Sequence, residues 1–356
     1  MSESSKNKKT AIVLFNLGGP DSKKAVKPFL FNLFNDKYII TLPKFLRYFI
    51  AWLISSRREK TAQEIYSYLG DKSPILDETK AQADFLEKSL KSSLKSDCRV
   101  FICMRHWHPM SDKVVEDITN YGPEEIILLP LYPQFSTTTT LSSIEDFSNK
   151  IQKKLPNIFY KTICCYPRNK NFIQSHVDLI NKSLEKIEDK DNYRILFSAH
   201  GLPKKIIESG DPYQWQVENT VQGIIDQLPF SRIDYRISYQ SRVGPLEWIG
   251  PNTEDEIEKA GKEQKELMIV PVAFVSEHSE TLVELDIEYK EIADKYSMNY
   301  VRVPTLSVND HFVDSLKNMV VSASNSESSF LYSDEMKRIC PGSYTRCPCK
   351  TKNKGK

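Results

Sequence analysis

Three glutamates, Glu280, Glu284 and Glu288, recur four residues apart late in the chain. If this segment is an α-helix, the spacing places the three carboxylates in one row about 12 Å long. Aliphatic residues separate them, whereas a solvated row of like charges usually has lysines between its members. One interpretation is a solvated helix face. The other is a route for a hard cation, or a set of proton carriers with raised pKa values.

Histidines follow two of the short aliphatic runs. His200 lies in the turn Ser-Ala-His-Gly-Leu-Pro at 198–203, where it is either a buried structural residue or a group that faces a ligand. His106 and His108 follow another run, but Pro109 argues against an extended segment that presents both to one metal ion. For 105–107 we therefore favour contact with a large ligand.

Cysteines are concentrated at the end of the chain, where Cys340, Cys347 and Cys349 lie close together. The chain has seven cysteines, and a small odd number argues against a secreted disulfide framework. Three thiolates need a fourth ligand to hold zinc or an iron–sulfur cluster, and Cys164 or Cys165 can supply it. Spacing alone leaves zinc, an iron–sulfur cluster and free thiols open.

The elements that position these residues follow from composition and pattern. The 356 residues suggest about two domains, and 40% hydrophobic with 27% charged residues is typical of a globular protein. A net charge of +2 creates no field that would attract nucleic acid, so no nucleic-acid partner is expected. Short aliphatic runs alternate with amphipathic stretches, which predicts an α/β fold with parallel sheets and ligands at the carboxyl ends of the strands. The predicted strands are 11–15, 99–103, 125–129, 194–197, 234–238 and 266–270, and the clearest predicted helices are 77–95, 111–121, 171–186 and 214–227.

The chain is expected to divide into four parts. Residues 1–10 are polar and predicted to be disordered, and two lobes follow, at 11–170 and 171–325. Residues 326–356 are predicted to form a cysteine-bearing extension that belongs to neither sheet. The N-terminus lacks the apolar stretch and cleavage site of a secretory signal, which predicts a cytoplasmic protein.

The segment 39–54 is the most apolar part of the chain. Pro43 is suited to the start of a helix, and that helix would be apolar almost all round. Basic residues follow it at 57, 58 and 60. The segment is either a core helix or an anchor at a membrane surface, with its aromatic side chains in lipid and its basic flank on anionic headgroups.

Together, these motifs resemble the ferrochelatase family. The resemblance extends from about residue 11 to 310 and is carried by five runs, at 16–20 (Asn-Leu-Gly-Gly-Pro), 131–134 (Leu-Tyr-Pro-Gln), 198–203, 239–245 (Tyr-Gln-Ser-Arg-Val-Gly-Pro) and 280–289. It implies two Rossmann-like, chelatase-like lobes with a porphyrin cleft between them. It also implies a lyase that inserts ferrous iron into protoporphyrin IX with release of two protons, the last step of heme synthesis.

The resemblance also implies roles for particular residues. His200 and Glu280 are expected to hold the substrate iron, and either can accept a pyrrole proton. Glu284 and Glu288 are expected to carry protons out or metal in, while His278 supports Glu280. The implied porphyrin contacts are Leu17, Arg105, His106, Tyr132 and Ser136. The family has a tyrosine where this chain has His106.

The C-x6-C-x-C spacing of the tail resembles that of bacterial ferrochelatases with a two-iron, two-sulfur cluster. The implied ligands are Cys340, Cys347 and Cys349, with Cys164 or Cys165 as the fourth. The apolar segment lies where the family has the lip of its active-site mouth, which implies peripheral attachment to the inner face of the cytoplasmic membrane.

Two alternatives to this function stay open, and the oligomeric state is not predicted. One is a related chelatase that inserts cobalt or nickel into another tetrapyrrole, or one that acts on coproporphyrin. The other is a heme carrier or redox sensor in which His200 is an axial ligand. A carrier has no use for the glutamate row.

Overall fold

The computed structural model describes residues 8–94, 97–229, 233–326, 331–334 and 337–349. The chain divides into two compact units. Unit one comprises Met1–Tyr166, Val313–Ile339 and Pro348–Lys356, and unit two comprises Pro167–Phe312 and Cys340–Cys347.

Unit one contains a five-stranded parallel sheet. Its strands are β1 (Lys9–Asn16), β2 (Asp97–Met104), β3 (Glu125–Pro130), β4 (Phe159–Cys165) and β9 (Leu331–Ser333), in the order β2-β1-β3-β4-β9. Its helices are α1 (Val26–Phe34), α2 (Lys44–Ser67), α3 (Ile75–Lys91), α4 (Ser111–Tyr121), α5 (Ser142–Lys154) and most of α12 (Asp310–Asn325). A 3-10 turn at Lys23–Ala25 precedes α1, and a π-helical turn at Thr137–Leu141 precedes α5. The interior strand β1 is buried from residue 10 to residue 16, as expected for a parallel sheet covered on both faces.

Unit two contains a four-stranded parallel sheet. Its strands are β5 (Tyr193–His200), β6 (Tyr235–Gln240), β7 (Glu266–Pro271) and β8 (Tyr300–Arg302), in the order β6-β5-β7-β8. Its helices are α6 (Lys170–Leu184), α7 (Lys204–Glu208), α8 (Tyr213–Ile225), α9 (Thr253–Lys262), α10 (Ser279–Leu282) and α11 (Tyr289–Asp294), with a π-helical turn at Glu284–Glu288 between the last two. The α/β fold class with two parallel sheets is thus confirmed.

All six predicted strands form, but β4, β8 and β9 were not predicted. Strand β4 was missed because it carries a lysine at a buried position. The Lys161 ammonium lies 2.5 Å from the buried Glu125 carboxylate. It also donates to the carbonyl of Ala323, at 2.7 Å, near the end of α12. A buried charge is tolerated when it is paired and hydrogen-bonded in this way.

The structure differs from the predicted division at both ends of the chain. Residues 313–325 of α12, predicted in the second lobe, group with unit one, where Lys161 binds the end of the helix. The prediction that the C-terminal extension belongs to neither sheet is wrong, because β9 pairs with β4. Of the N-terminus predicted to be disordered, Lys9 and Thr10 lie in β1, and residues 1–7 lie outside the described residues.

Candidate active site

His200 and Glu280 lie together at the carboxyl end of the second sheet. His200 is the last residue of β5, and Glu280 lies in α10, which follows the neighbouring strand β7. The Nδ1 atom of His200 is 2.8 Å from Oε2 of Glu280. Their side chains keep 37% and 25% of their surfaces exposed, so both are accessible to a ligand.

The two side chains shift each other's pKa. Burial alone would lower the pKa of His200, but the negative charge of Glu280 raises it above its ordinary value. Burial alone would raise the pKa of Glu280, but His200, and to a smaller extent His278, hold it well below its ordinary value. Glu280 is therefore ionised at neutral pH, and His200 accepts a proton more readily than an isolated histidine does.

His278 lies beside Glu280. Its Nε2 atom is 3.9 Å from Oε2 of Glu280, and its Nδ1 atom is 3.0 Å from the carbonyl of Ser276. The hydroxyl of Thr281 accepts a hydrogen bond from the His278 backbone N–H, at 3.0 Å, and closes the first turn of α10. These bonds fix the orientation of the turn that carries Glu280.

The prediction that all three glutamates share one regular α-helix is wrong. Helix α10 ends at Leu282, and the chain widens into the π-helical turn at Glu284–Glu288. There the N–H of Glu288 donates to the carbonyl of Val283, five residues earlier, at 3.0 Å. π-Helical turns are rare and are frequent at functional sites.

Glu284 is held by donors from the end of β6 and from α11. The backbone N–H of Ser241 lies 2.8 Å from its Oε1 atom, and the Ser241 hydroxyl 2.5 Å from its Oε2 atom. Gln240 Nε2 and the Tyr289 hydroxyl donate to the same carboxylate at 2.9 and 2.8 Å. Burial and the Glu280 charge nevertheless raise the pKa of Glu284, so a proton is held more tightly on Glu284 than on Glu280.

Glu288 ends the series at the surface. Its side chain is exposed. Partial burial raises its pKa, and the charges of Glu254 and Glu291 raise it further. The three carboxylates therefore change along the chain from one held ionised beside a histidine, through one that holds a proton more tightly, to one in contact with solvent.

The predicted porphyrin contacts all follow the carboxyl ends of β1, β2 and β3 in unit one. Arg105 Nη2 lies 2.8 Å from the buried carboxylate of Asp36, and its Nε donates to the Ser142 hydroxyl at 2.6 Å. The Ser142 hydroxyl also donates to Asp36. Asp36, which the sequence did not single out, therefore fixes the orientation of Arg105.

His106 is fully buried in the structure. Neither ring nitrogen has a hydrogen-bond partner within the described part of the chain. Burial, and then the charge of Arg105, hold its pKa well below the ordinary value, so the imidazole is neutral. In this conformation it has no exposed surface, and its contact with porphyrin stays a prediction.

The remaining predicted contacts have local roles. Ser136 is buried, and its hydroxyl accepts from the N–H of Thr138 at 3.2 Å, which caps the π-helical turn before α5. The Tyr132 hydroxyl lies 3.5 Å from that of Ser143. The N–H of Leu17 donates to the side chain of Asn16 at 2.8 Å. Adjacent strand ends thus bring these residues to one edge of the first sheet.

The cysteines of the predicted cluster are all buried thiols. In unit one, the Sγ atom of Cys164 lies 3.2 Å from that of Cys165 and 3.3 Å from that of Cys349. In unit two, Gln216 Nε2 lies 3.1 Å from Cys340 Sγ. Among the described residues, no three His, Cys, Asp or Glu side chains are arranged to hold a metal ion.

Residues 44–54 of the apolar segment form the first half of α2, and most of the aromatic side chains there face outward. Phe45 is 72% exposed, and Leu46, Tyr48, Phe49 and Trp52 are also exposed. The interpretation as a core helix is therefore wrong for these side chains. In the part of the chain that the structure describes, no helix meets the length and hydropathy that a membrane span requires.

Comparison with known proteins gives the same family over nearly the whole chain. The sequence model of the family described as Ferrochelatase matches residues 9–324. The chain is 55% identical to the ferrochelatase of Rickettsia conorii over 344 residues, which are 96% of this chain and 98% of that protein. It is 49% identical to the ferrochelatase of Pelagibacter ubique over 344 residues, again 96% and 98% of the two chains.

A solved structure shares the fold. SirB from Bacillus subtilis with Fe3+ superposes with a TM-score of 0.52 at 13% identity, over 90% of this chain and 97% of that one. At this identity the likeness concerns the fold alone. Together, the family model, the full-length relatives and the pair of parallel sheets show that the chain belongs to the ferrochelatase family.

Proposed function

We propose that His200 and Glu280 form the site at which this chain inserts ferrous iron into protoporphyrin IX, the last step of heme synthesis. The 2.8 Å contact between a partly exposed imidazole and a carboxylate that is held ionised carries the proposal. Imidazole and carboxylate are ligands that suit ferrous iron.

A site in which two protein side chains bind the iron suits a metal ion that must leave the protein for the porphyrin. No third His, Cys, Asp or Glu completes a metal site within the described residues. The iron therefore keeps coordination positions for the pyrrole nitrogens of the substrate, and no closed protein cage has to be broken. A structural metal site, in contrast, encloses its ion with four protein ligands.

Protons leave the porphyrin as the metal enters, and the site supplies acceptors for them. His200 can accept a pyrrole proton, because Glu280 stabilises the imidazolium that results. Glu284 favours the protonated form more than Glu280 does, and Glu288 is exposed to solvent. We infer that protons leave in the order Glu280, Glu284, Glu288, and that His278 positions Glu280.

The reaction can be tested directly with the purified full-length chain. Mixed anaerobically with protoporphyrin IX and ferrous iron, the protein is expected to quench porphyrin fluorescence at a rate proportional to its concentration. Fluorescence that falls no faster than without protein would contradict the proposal. Coproporphyrin, and cobalt or nickel in place of iron, test the alternative chelatase reactions in the same assay.

We also propose porphyrin-binding roles for Leu17, Arg105, His106, Tyr132 and Ser136. Their support is their common position at the carboxyl ends of β1, β2 and β3, where parallel α/β sheets bind ligands. Arg105 is the best supported of them. Its side chain is partly exposed, and Asp36 and Ser142 hold its guanidinium in one orientation.

An iron–sulfur cluster is a second proposal, with Cys340, Cys347, Cys349 and Cys164 as its ligands. Of the two candidates for the fourth ligand, Cys164 is favoured, because its sulfur lies 3.3 Å from that of Cys349. Two thiolates bound to one tetrahedral metal ion lie about 3.8 Å apart, close to this separation. When bound, such a cluster supplies one-electron redox chemistry, which the insertion reaction does not use.

We expect Cys164→Ser to remove the iron–sulfur absorption of anaerobically purified protein, and Cys165→Ser to keep it. The two variants are matched, since both thiols are buried and adjacent. The measurement is the visible spectrum together with iron and labile sulfide content. A colourless wild-type protein that contains zinc would contradict the cluster itself, and loss of absorption only in Cys165→Ser would contradict the choice of ligand.

We further propose that the exposed face of α2 binds the cytoplasmic membrane peripherally. Phe45, Phe49 and Trp52 are more than half exposed, and Phe49 stacks on Trp52 with ring centroids 6.2 Å apart. Basic side chains at 57, 58 and 60 follow on the same helix. Contiguous exposed apolar side chains of this kind mark interaction sites, and the basic flank suits anionic headgroups.

The triple variant Phe45→Ser, Phe49→Ser, Trp52→Ser is expected to weaken binding to vesicles of phosphatidylcholine and phosphatidylserine at least about tenfold, since each ring loses its burial in lipid. Binding is measured by co-sedimentation of the protein with the vesicles. The control is Tyr68→Ser, Phe85→Ser, which removes exposed aromatic rings outside the apolar segment. Equal binding of the wild type and the triple variant would contradict the membrane proposal.

A further inference from the structure

We propose that the hydroxyl of Ser241 relays protons from Glu280 to Glu284. The inference rests on the proposed roles of these two glutamates and adds a residue that connects them. Ser241 directly follows the end of β6, in the 239–245 motif, for which the sequence predicts no chemical role.

The serine hydroxyl lies between the two carboxylates. Its Oγ atom is 2.5 Å from Oε2 of Glu284 and 3.4 Å from Oε2 of Glu280. That Glu280 oxygen is also the one that lies 2.8 Å from His200 Nδ1. A hydroxyl can donate one hydrogen bond and accept others, so Ser241 can donate to Glu284 and, when Glu280 carries a proton, accept from Glu280.

The backbone of Ser241 is held in an unfavourable conformation that produces this contact. Its φ angle is +63°, in the left-handed region, where a residue other than glycine costs of order 1–3 kcal/mol unless its surroundings enforce it. The conformation directs both the N–H and the hydroxyl of Ser241 to Glu284. Such strain is typical of functional sites.

Gln240 braces the same arrangement from the preceding position. Its Nε2 atom donates to the Glu280 carbonyl at 3.0 Å and to Glu284 Oε2 at 2.9 Å. Its Oε1 atom accepts from the hydroxyl of Ser198, at 2.7 Å, inside the sheet. The residue before Ser241 is therefore held by three hydrogen bonds, of which the one to Ser198 is fully buried.

The transfer balances without any other reactant. A proton on Glu280 Oε2 passes to Ser241 Oγ while the Ser241 hydroxyl proton passes to Glu284 Oε2. One O–H bond breaks on Glu280, one forms on Glu284, and the serine ends as a neutral hydroxyl. The direction follows from the geometry, because Glu280 lies beside His200 whereas Glu284 begins the π-helical turn that ends at the exposed Glu288.

Ser241→Gly is the variant that tests the relay. Glycine removes the hydroxyl, keeps the N–H that binds Glu284, and adopts a φ of +63° without strain. We expect kcat to fall about tenfold or more with the KM for protoporphyrin unchanged, since proton transfer by a positioned group contributes about 10²–10⁴-fold. We also expect a larger solvent deuterium isotope effect on kcat, as proton transfer becomes rate-limiting.

Ser297→Gly is the matched control. Ser297 is an exposed serine in the turn after α11, with a φ of +53°, so the same substitution acts there on a similar backbone. It should leave kcat and the isotope effect unchanged. Equal thermal unfolding midpoints and porphyrin binding in the two variants would show that the Ser241→Gly protein is folded, and Ser241→Ala provides a second variant without the hydroxyl.

Two results would overturn the relay. One is a wild-type kcat in Ser241→Gly and Ser241→Ala. The other is a lower kcat with an unchanged isotope effect, which would show that Ser241 only positions Glu284. Both leave the chelatase reaction intact, whereas a wild-type protein that inserts no metal would contradict the proposed function itself.

Discussion

His200→Ala is expected to lower kcat for iron insertion by about 10²–10⁴-fold, the range for loss of a positioned proton acceptor. The variant loses the imidazole, and Glu280 loses the partner that holds its pKa down. The iron also loses the imidazole, which is one of its two proposed protein ligands. The measurement is the rate of porphyrin fluorescence loss under anaerobic conditions with saturating ferrous iron.

Glu280→Gln tests the other half of the pair and keeps the size of the side chain. We expect kcat for iron insertion to fall at least about 10²-fold in this variant too, because the charge that stabilises a protonated His200 is gone. The double variant should be little worse than either single one, since residues that act as a unit give non-additive losses. Additive losses in the double variant would indicate two independent roles.

The control for His200→Ala is His311→Ala. His311 is a half-exposed histidine at the start of α12, and its Nε2 atom lies 3.6 Å from Asp178 on the surface. This substitution should leave kcat within about twofold, because exposed ion pairs contribute little. A His200→Ala protein with the activity of the His311→Ala control would remove His200 from the mechanism.

The resemblance to the ferrochelatase family, and not the residue pattern, implied that His200 and Glu280 act together; the structure shows why they lie side by side. Both follow buried strands, and the carboxyl ends of neighbouring parallel strands meet at one edge of a sheet. The same argument applied to the end of β6 would have found Gln240 and Ser241. They were overlooked because a glutamine and a serine carry no charge, so their chemistry depends on the carboxylates they contact.

The remaining differences arise from contacts between residues distant in sequence. The spacing of Glu280, Glu284 and Glu288 fits a regular helix, and only the donors from β6 and α11 show why the chain widens at Glu284. Strand β4 was hidden by Lys161, whose burial is tolerable only beside Glu125 and the end of α12. The residue pattern within one segment does not show partners that lie elsewhere in the sequence.

Arg302 connects the two ends of the segment that carries Glu280 and Glu284. Its Nε and Nη2 atoms each lie 2.7 Å from one oxygen of Asp286, inside the π-helical turn. Its Nη1 atom lies 2.6 Å from Glu277 Oε1, before α10. Only 14% of the Arg302 side chain is exposed. One guanidinium thus holds two carboxylates that flank the active-site residues.

Arg302→Met is expected to lower the free energy of unfolding by about 3 kcal/mol, because removing the buried arginine leaves two partly buried carboxylates without a counter-charge. The substitution should also lower kcat, since Arg302 no longer holds Glu277 and Asp286 together and the segment between them, which carries Glu280 and Glu284, is less fixed. The measurements are denaturant unfolding at pH 7 and the fluorescence assay. The control is Arg236→Met on β6, whose half-exposed guanidinium lies 3.5 Å from Asp234, and its effect should stay below about 1 kcal/mol.

The stability difference between Arg302→Met and the wild type should depend on pH. Burial alone would raise the pKa of Glu277, but the Arg302 charge outweighs it and holds the pKa below the ordinary 4.5. A lowered pKa stabilises the fold above pH 4.5, and this contribution is lost as the pH falls through the folded-state pKa. In Arg302→Met the hydrogen bonds from Thr281 and from the Thr305 N–H remain, but the charge that chiefly offsets burial is gone, so Glu277 is protonated more readily and its burial costs less in acid. The difference in unfolding free energy between the wild type and Arg302→Met should therefore shrink below about pH 4.5. A difference that stays constant from pH 7 to pH 3.5 would show that lost packing, and not the ion pair, destabilises the variant.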